Sequence, residues 1–161
     1  MNPTFVEKDE MTLAGISVRT SSGLESNPET ARIPGLWQRF YQNDVMHKIP
    51  GLVDPQVIYE TYCDYESDQD GEYTVILGGE VQSPDNLPDG IVSVIVPRAR
   101  YMVAPVTGDD VPKAVQQAWG RVWSHFKSPQ PYRRAYQVDF ERFRVGDEGT
   151  FDECQVMVSV L

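Results

Sequence analysis

One pattern constrains the fold of this chain more than any other: the order of turn-punctuated apolar segments in its first half recurs in its second. Met11 to Thr20 (MTLAGISVRT) is rich in β-branched and apolar residues and reads as a strand, ended by Ser21, Ser22 and Gly23. A helix follows, with Pro34 in its first turn. Leu36, Trp37, Phe40, Tyr41 and Val45 recur on one aromatic face until Pro50 and Gly51 stop it. Val57 to Tyr65 and Tyr73 to Val81 then read as a hairpin around the acidic stretch ESDQDGE, and Gln82 to Gly90, with two prolines and a glycine, connects the halves.

The second half repeats the plan. Strands fall within Ile91 to Thr107, where Pro97 marks a bend or a sheet edge. Gly108, Asp109 and Asp110 introduce a helix from about Val111 to Phe126, with carboxylates at its positive end and Pro112 in its first turn. Val115, Ala118, Trp119, Val122, Trp123 and Phe126 form its apolar stripe, again aromatic. Arg133 to Phe143 and Glu153 to Leu161 read as a second hairpin around VGDEGTFD. One helix against several strands in each half does not suit a doubly wound parallel sheet. The pattern predicts an α+β fold, an antiparallel sheet with its helices on one face.

With 161 residues, 40% hydrophobic and 24% charged, the chain suits a single domain over residues 1–161, half one being about 1–82 and half two about 91–161. A formal net charge of −10 would repel a phosphate backbone over most of the surface, which argues against nucleic-acid binding. Cys63 and Cys154 lie far apart with no histidine or cysteine at metal-ligand spacing, so neither a zinc site nor a disulfide framework is indicated. The acidic stretch from Asp64 to Glu72 lacks the ligand spacing of a calcium loop and reads as a solvated turn. With no basic leader and no apolar run of membrane length, the expectation is a cytoplasmic protein with reduced thiols and neither metal nor cofactor.

Glycine-rich nucleotide loops, a nucleophile elbow and a zinc-protease helix motif are all lacking. His47 and His125 fall at the ends of the two helices, where helix-dipole contacts account for them. The candidate site residues are therefore aromatic and acidic. Glu141 lies in a strand between Phe140 and Phe143, and alternation places it either in water or in an apolar interior. If buried, it must keep its proton or find a cation or hydrogen bonds. Trp37, Phe40, Trp119 and Trp123 either fill a core or face a cleft between the two helices, where their rings attract a cation. Alternation puts Glu141 on one face with Gln137, Asp139 and Phe143, and Tyr59 on one face with Tyr65, opposite Tyr62. Tyr59 is favoured over Tyr62 for the cleft, and Tyr136 is a further candidate donor.

The segments LAGISVRT, LWQRFYQ, YETYCDYESDQDGEYTVILGGEV, VPRARYMVAP, AWGRVWSHF and RRAYQVDFERF occur in an order that resembles the GyrI-like domain, which is also the effector-binding domain of multidrug-responsive bacterial transcription activators. The likeness runs from about Thr12 to the C-terminus. It implies a duplicated strand–helix–strands unit, two helices over a shared sheet, and a ligand cavity between the halves, with a glutamate of the last-but-one strand, here Glu141, on its floor. Such activators carry a helix-turn-helix ahead of this domain, whereas here the first family-like strand begins about a dozen residues from Met1, so the chain reads as a stand-alone module. The expected function is binding of a small amphipathic, cationic molecule through Glu141, Trp37, Phe40, Tyr59, Trp119 and Trp123. The resemblance also admits two alternatives: a hydrolase of strained electrophiles using Glu141, and a protein partner such as DNA gyrase or a transcription regulator.

Overall fold

A computed structural model describes residues 2–161. Eight strands and four helices follow in the order β1 (Thr4–Lys8), β2 (Met11–Ser21), α1 (Ser22–Glu25), α2 (Ile33–Gln42), α3 (Val45–Lys48), β3 (Val57–Cys63), β4 (Glu72–Val81), β5 (Val92–Val96), β6 (Ala99–Pro105), α4 (Val111–Lys127), β7 (Asp139–Val145) and β8 (Phe151–Val160). All strands join one antiparallel sheet in the order β1-β6-β8-β7-β3-β4-β2-β5. The class is the α+β architecture anticipated from the sequence, and the duplication is visible in it. Units β2-α2-β3-β4 and β6-α4-β7-β8 meet where β3 pairs with β7, Glu60 standing directly opposite Glu141.

One feature of the halves differs from expectation. The leading strand of each half pairs with the other half: β1, which the pattern did not indicate, lies beside β6, and β5, which lies within the expected Ile91 to Thr107 strands, lies beside β2. Only Asp9–Glu10 separate β1 from β2, and only Pro97–Arg98 separate β5 from β6, although each link joins strands on opposite sides of the sheet. Three peptide steps reach no further than about 11 Å. The sheet therefore curls until its two sides approach at these links, where Arg98 reaches Glu7 at 3.2 Å and Asp9 at 3.9 Å. Inside the curl, on the face without helices, Leu13, Val57, Tyr59, Val96, Tyr101, Phe140 and Met157 pack as one buried cluster.

The helices cover the opposite face. Pro34 lies in the first turn of α2, whose Leu36 and Phe40 are buried. The helix breaks early because Asp44 takes a left-handed conformation (φ 50°), and the short α3 carries Val45 onward into the core. α4 starts where the Asp110 side chain accepts a hydrogen bond from the Lys113 backbone N–H at 3.3 Å; Ala114, Ala118 and Val122 are buried, the last two against β6 and β8. Where β2 and β4 cross, Gly15 opposes Gly78, and a Cβ on either would fall within 2.1 Å of a partner carbonyl oxygen. Only glycine permits that approach.

The predicted strand from Arg133 is shorter than expected. Arg133 to Val138 runs outside the regular ladder, with a single bridge from Arg134 to Val160 and a left-handed Tyr136 (φ 53°). Regular pairing begins at Asp139, so exposed Gln137 does not extend the Glu141 face.

Candidate functional site

α2 and α4 lie over the two central strands and leave between them a cavity of about 860 Å³, within the range of sites for drug-sized molecules. Its walls are Trp37, Tyr62, Tyr65, Tyr73, Trp119 and Phe143, and Trp123, half exposed, stands at the rim. Glu60 and Glu141 form the floor, only 3% and 1% exposed.

The floor has pseudo-twofold symmetry. From one half, the Trp37 indole N–H donates to Glu60 Oε1 at 2.7 Å; from the other, the Trp119 N–H donates to Glu141 Oε2 at 2.9 Å. Tyr62 joins the two, its hydroxyl 2.9 Å from Glu60 Oε2 and in contact with Glu141 Oε2. Trp119 meets Tyr62 edge to face at 5.5 Å between ring centres, and Trp37 meets Phe143 likewise at 5.4 Å. These edge contacts leave ring surface available to a guest.

Burial, followed by the neighbouring Glu60 carboxylate, pushes Glu141 well above the usual carboxyl range. Tyr62 is raised well above its ordinary value by burial and by both carboxylates, so it acts as a hydroxyl donor and not as a phenolate. Desolvation raises the Cys154 thiol to about 12 and the Cys63 thiol to about 11, which leaves neither thiol as a nucleophile. Among the described residues, no three acidic, histidine or cysteine side chains cluster as a metal ion would need.

At one end of the cavity, Arg134 rests 5.7 Å from the centre of the Trp119 ring. Its charge is already matched: Arg134 donates to Asp139 Oδ2 at 2.9 Å, where the Tyr65 hydroxyl also donates at 2.6 Å. Asp139 Oδ1 accepts from the Ser159 N–H and hydroxyl at 2.7 and 2.9 Å. This buried carboxylate has partners on both oxygens and a structural role in the wall.

The structure thus brings Glu141, Trp37, Trp119 and Trp123 to one cavity and places three of the sequence candidates elsewhere, among them Tyr136, whose hydroxyl contacts Gln69. Phe40 packs behind Trp37 in the core, at 5.8 Å between ring centres, and does not line the cavity. Tyr59 belongs to the opposite face, edge to face with Phe140. The preference for Tyr59 over Tyr62 is corrected by the register: with Glu60 opposite Glu141, the cavity face of β3 carries Ile58, Glu60 and Tyr62. Tyr65, grouped with Tyr59 by alternation, reaches the cavity because left-handed Asp64 (φ 51°) turns the chain over after Cys63. His47 contacts Asp44 at the surface and His125 contacts Tyr132, both away from the cavity. Glu60 is the residue that sequence reasoning missed. Its signal was present: a tryptophan precedes a strand glutamate by 23 residues in one half and by 22 in the other.

Comparison with known proteins shows the family and the fold. Residues 4–156 match the family model described as Cass2, integron-associated effector binding protein, and the chain belongs to that family of effector-binding domains. It is similar to an integron cassette protein from the mobile metagenome of Vibrio cholerae, with 30% identity, a TM-score of 0.78, and coverage of 99% of this chain and 95% of the other. It shares its fold with SAV2435, solved bound to tetraphenylphosphonium, at 22% identity and a TM-score of 0.76 over 100% of this chain and 94% of that one. YobU of Bacillus subtilis (strain 168), a candidate transcriptional regulator, is 28% identical over 81% of this chain and 79% of its own length. The transcriptional regulator BrlR of Pseudomonas aeruginosa is 26% identical over 94% of this chain, which spans 52% of that protein. No helix among the described residues is long and apolar enough to cross a membrane.

Proposed function

We propose that the chain binds a small amphipathic organic cation in the cavity between α2 and α4, as a sensing or sequestering module of the effector-binding family. The observation that carries this reading is the floor: two buried carboxylates directly opposite one another, ringed by aromatic faces and without a basic side chain of their own. A buried carboxylate loses several kcal/mol of hydration. A guest of opposite sign offsets that loss, and indole faces add about 0.5–2 kcal/mol each through cation–π attraction. The volume suits a guest of several rings. The net charge of −10 draws cations toward the protein at low salt. The bound phosphonium of the structural neighbour SAV2435 is a guest of this class.

The test is a calorimetric titration of tetraphenylphosphonium into the wild-type chain and into a variant carrying both Glu60→Gln and Glu141→Gln. A dissociation constant of micromolar order, about 8 kcal/mol, is expected for the wild type. One unit charge about 5 Å away at an effective dielectric of 20 is worth about 3 kcal/mol, so the double variant should bind roughly a hundredfold more weakly. Equal affinity in the two proteins would remove the carboxylates from the function.

A further inference from the structure

We propose that Glu60 and Glu141 act as a single proton-holding unit, so that a cation entering the cavity expels a proton and binds more tightly as pH rises. The proposal rests on the cation-binding reading above and adds its regulation by pH.

Hydrogen counting at the floor leads to it. Trp37 supplies one N–H to Glu60, and Trp119 supplies one to Glu141. The Tyr62 hydroxyl contacts both carboxylates but has one hydrogen to give. If both carboxylates were ionised, one of these contacts would set oxygen lone pairs against each other between two negative charges that water barely reaches. A proton on the pair completes the bonding: one carboxyl becomes a donor and the charge falls to a single unit. The raised affinity of Glu141 for its proton agrees with this count.

The surroundings leave the proton on the pair. From β4, Tyr73 is pushed to about 12 by burial, with smaller contributions from Glu25 and both floor carboxylates, and from β8, Cys154 is likewise at about 12. Burial raises Tyr62 on β3 and Tyr65 beyond it. At the mouth, the Glu25 carboxylate accepts from the Arg32 and Ile33 backbone N–H groups and from the Thr20 hydroxyl. Arg134, before β7, is matched by Asp139 on β7. α2 and α4 present the indoles of Trp37, Trp119 and Trp123, together with the neutral Tyr41 and Gln116. A guest with a permanent positive charge therefore meets one titrating unit. It favours the doubly ionised state, and the released proton passes to solvent.

Tetraphenylphosphonium, whose charge does not change with pH, is the probe. Its binding heat at one pH, measured in two buffers of different ionisation enthalpy, should show release of up to one proton per guest. Affinity measured from about pH 5 to pH 9 should rise by up to about tenfold per pH unit before levelling off. Glu141→Gln keeps one carboxylate and a hydrogen-bonding amide, so it should still bind while its pH profile goes flat. Wild-type binding with no buffer-dependent heat and no pH slope would overturn the linkage and leave the binding reading standing. An undiminished slope in Glu141→Gln would also overturn it. Absence of binding at every pH would sink both.

Discussion

Glu60 and Glu141 stand opposite one another on β3 and β7, and neither has enough water around it to disperse a charge. The consequence reaches stability as well as binding. Folding raises the proton affinity of Glu141, mainly by desolvation and then by Glu60. The folded chain therefore keeps a proton that the unfolded chain gives up near an ordinary glutamate value of about 4.3. The stabilisation is fully present below that value and is lost as pH climbs through the raised one. Melting curves of wild type and Glu141→Gln across that window should show the wild type losing ground to the variant with increasing pH, by at most about 1.4 kcal/mol per unit. A constant difference between the two would contradict it. Much of this site was legible in the sequence at the level of single residues. The aromatic helices and a strand glutamate near two phenylalanines named Trp37, Trp119, Trp123 and Glu141 as candidates. The rest was not legible, because alternation groups the residues of one strand without saying which group faces the neighbour's. That choice belongs to the pairing register, which decides between Tyr59 and Tyr62 and brings in Glu60.

At the scale of elements, α2 and α4 hold the cavity open because each fixes its inner face on the sheet. Leu36 and Phe40 anchor one helix, and Ala114, Ala118 and Val122 anchor the other, so Trp37 and Trp119 project toward the floor while Trp123 stays at the rim. Beneath them, the close crossing of β2 and β4 at Gly15 and Gly78 adds a steric demand. A Cβ at Gly78 would lie 1.9 Å from the Ala14 carbonyl oxygen, and backbone on both sides would have to separate. Gly78→Ala should destabilise the fold by about 1–3 kcal/mol, the usual cost of overpacking, measured by denaturant unfolding. A change below about 0.5 kcal/mol would show that the crossing has slack. Helix positions, both hairpins and the turn at Pro97 follow directly from hydrophobic period and turn residues. The early break of α2 does not, since it depends on Asp44 adopting a left-handed conformation. The irregular run from Arg133 to Val138 also escapes the pattern, because its residues alternate like a strand while Arg134 is drawn inward to Asp139.

The whole molecule places its symmetry and its site together. The boundary between the halves is the β3–β7 pairing, and the carboxylates face each other on it, so each half supplies one tryptophan–glutamate pair to one cavity. The recurrence in the sequence pointed to two similar halves, and left their aromatic helices either filling a core or facing a cleft. It did not foretell the exchange of β1 and β5, since a five-residue edge strand has too short a pattern to reveal its partner. That exchange ties each half to the other at the outer edges, as the carboxylates tie cavity chemistry to the centre. The account stands on the floor of the cavity being the place where positive charge is held. A crystal structure of the chain with tetraphenylphosphonium measures this directly. The account predicts the phosphonium between Trp37 and Trp119, its centre about 4–6 Å from carboxylate oxygens of Glu60 and Glu141. A guest lodged elsewhere on the protein, with the floor hydrogen bonds unchanged, would contradict it.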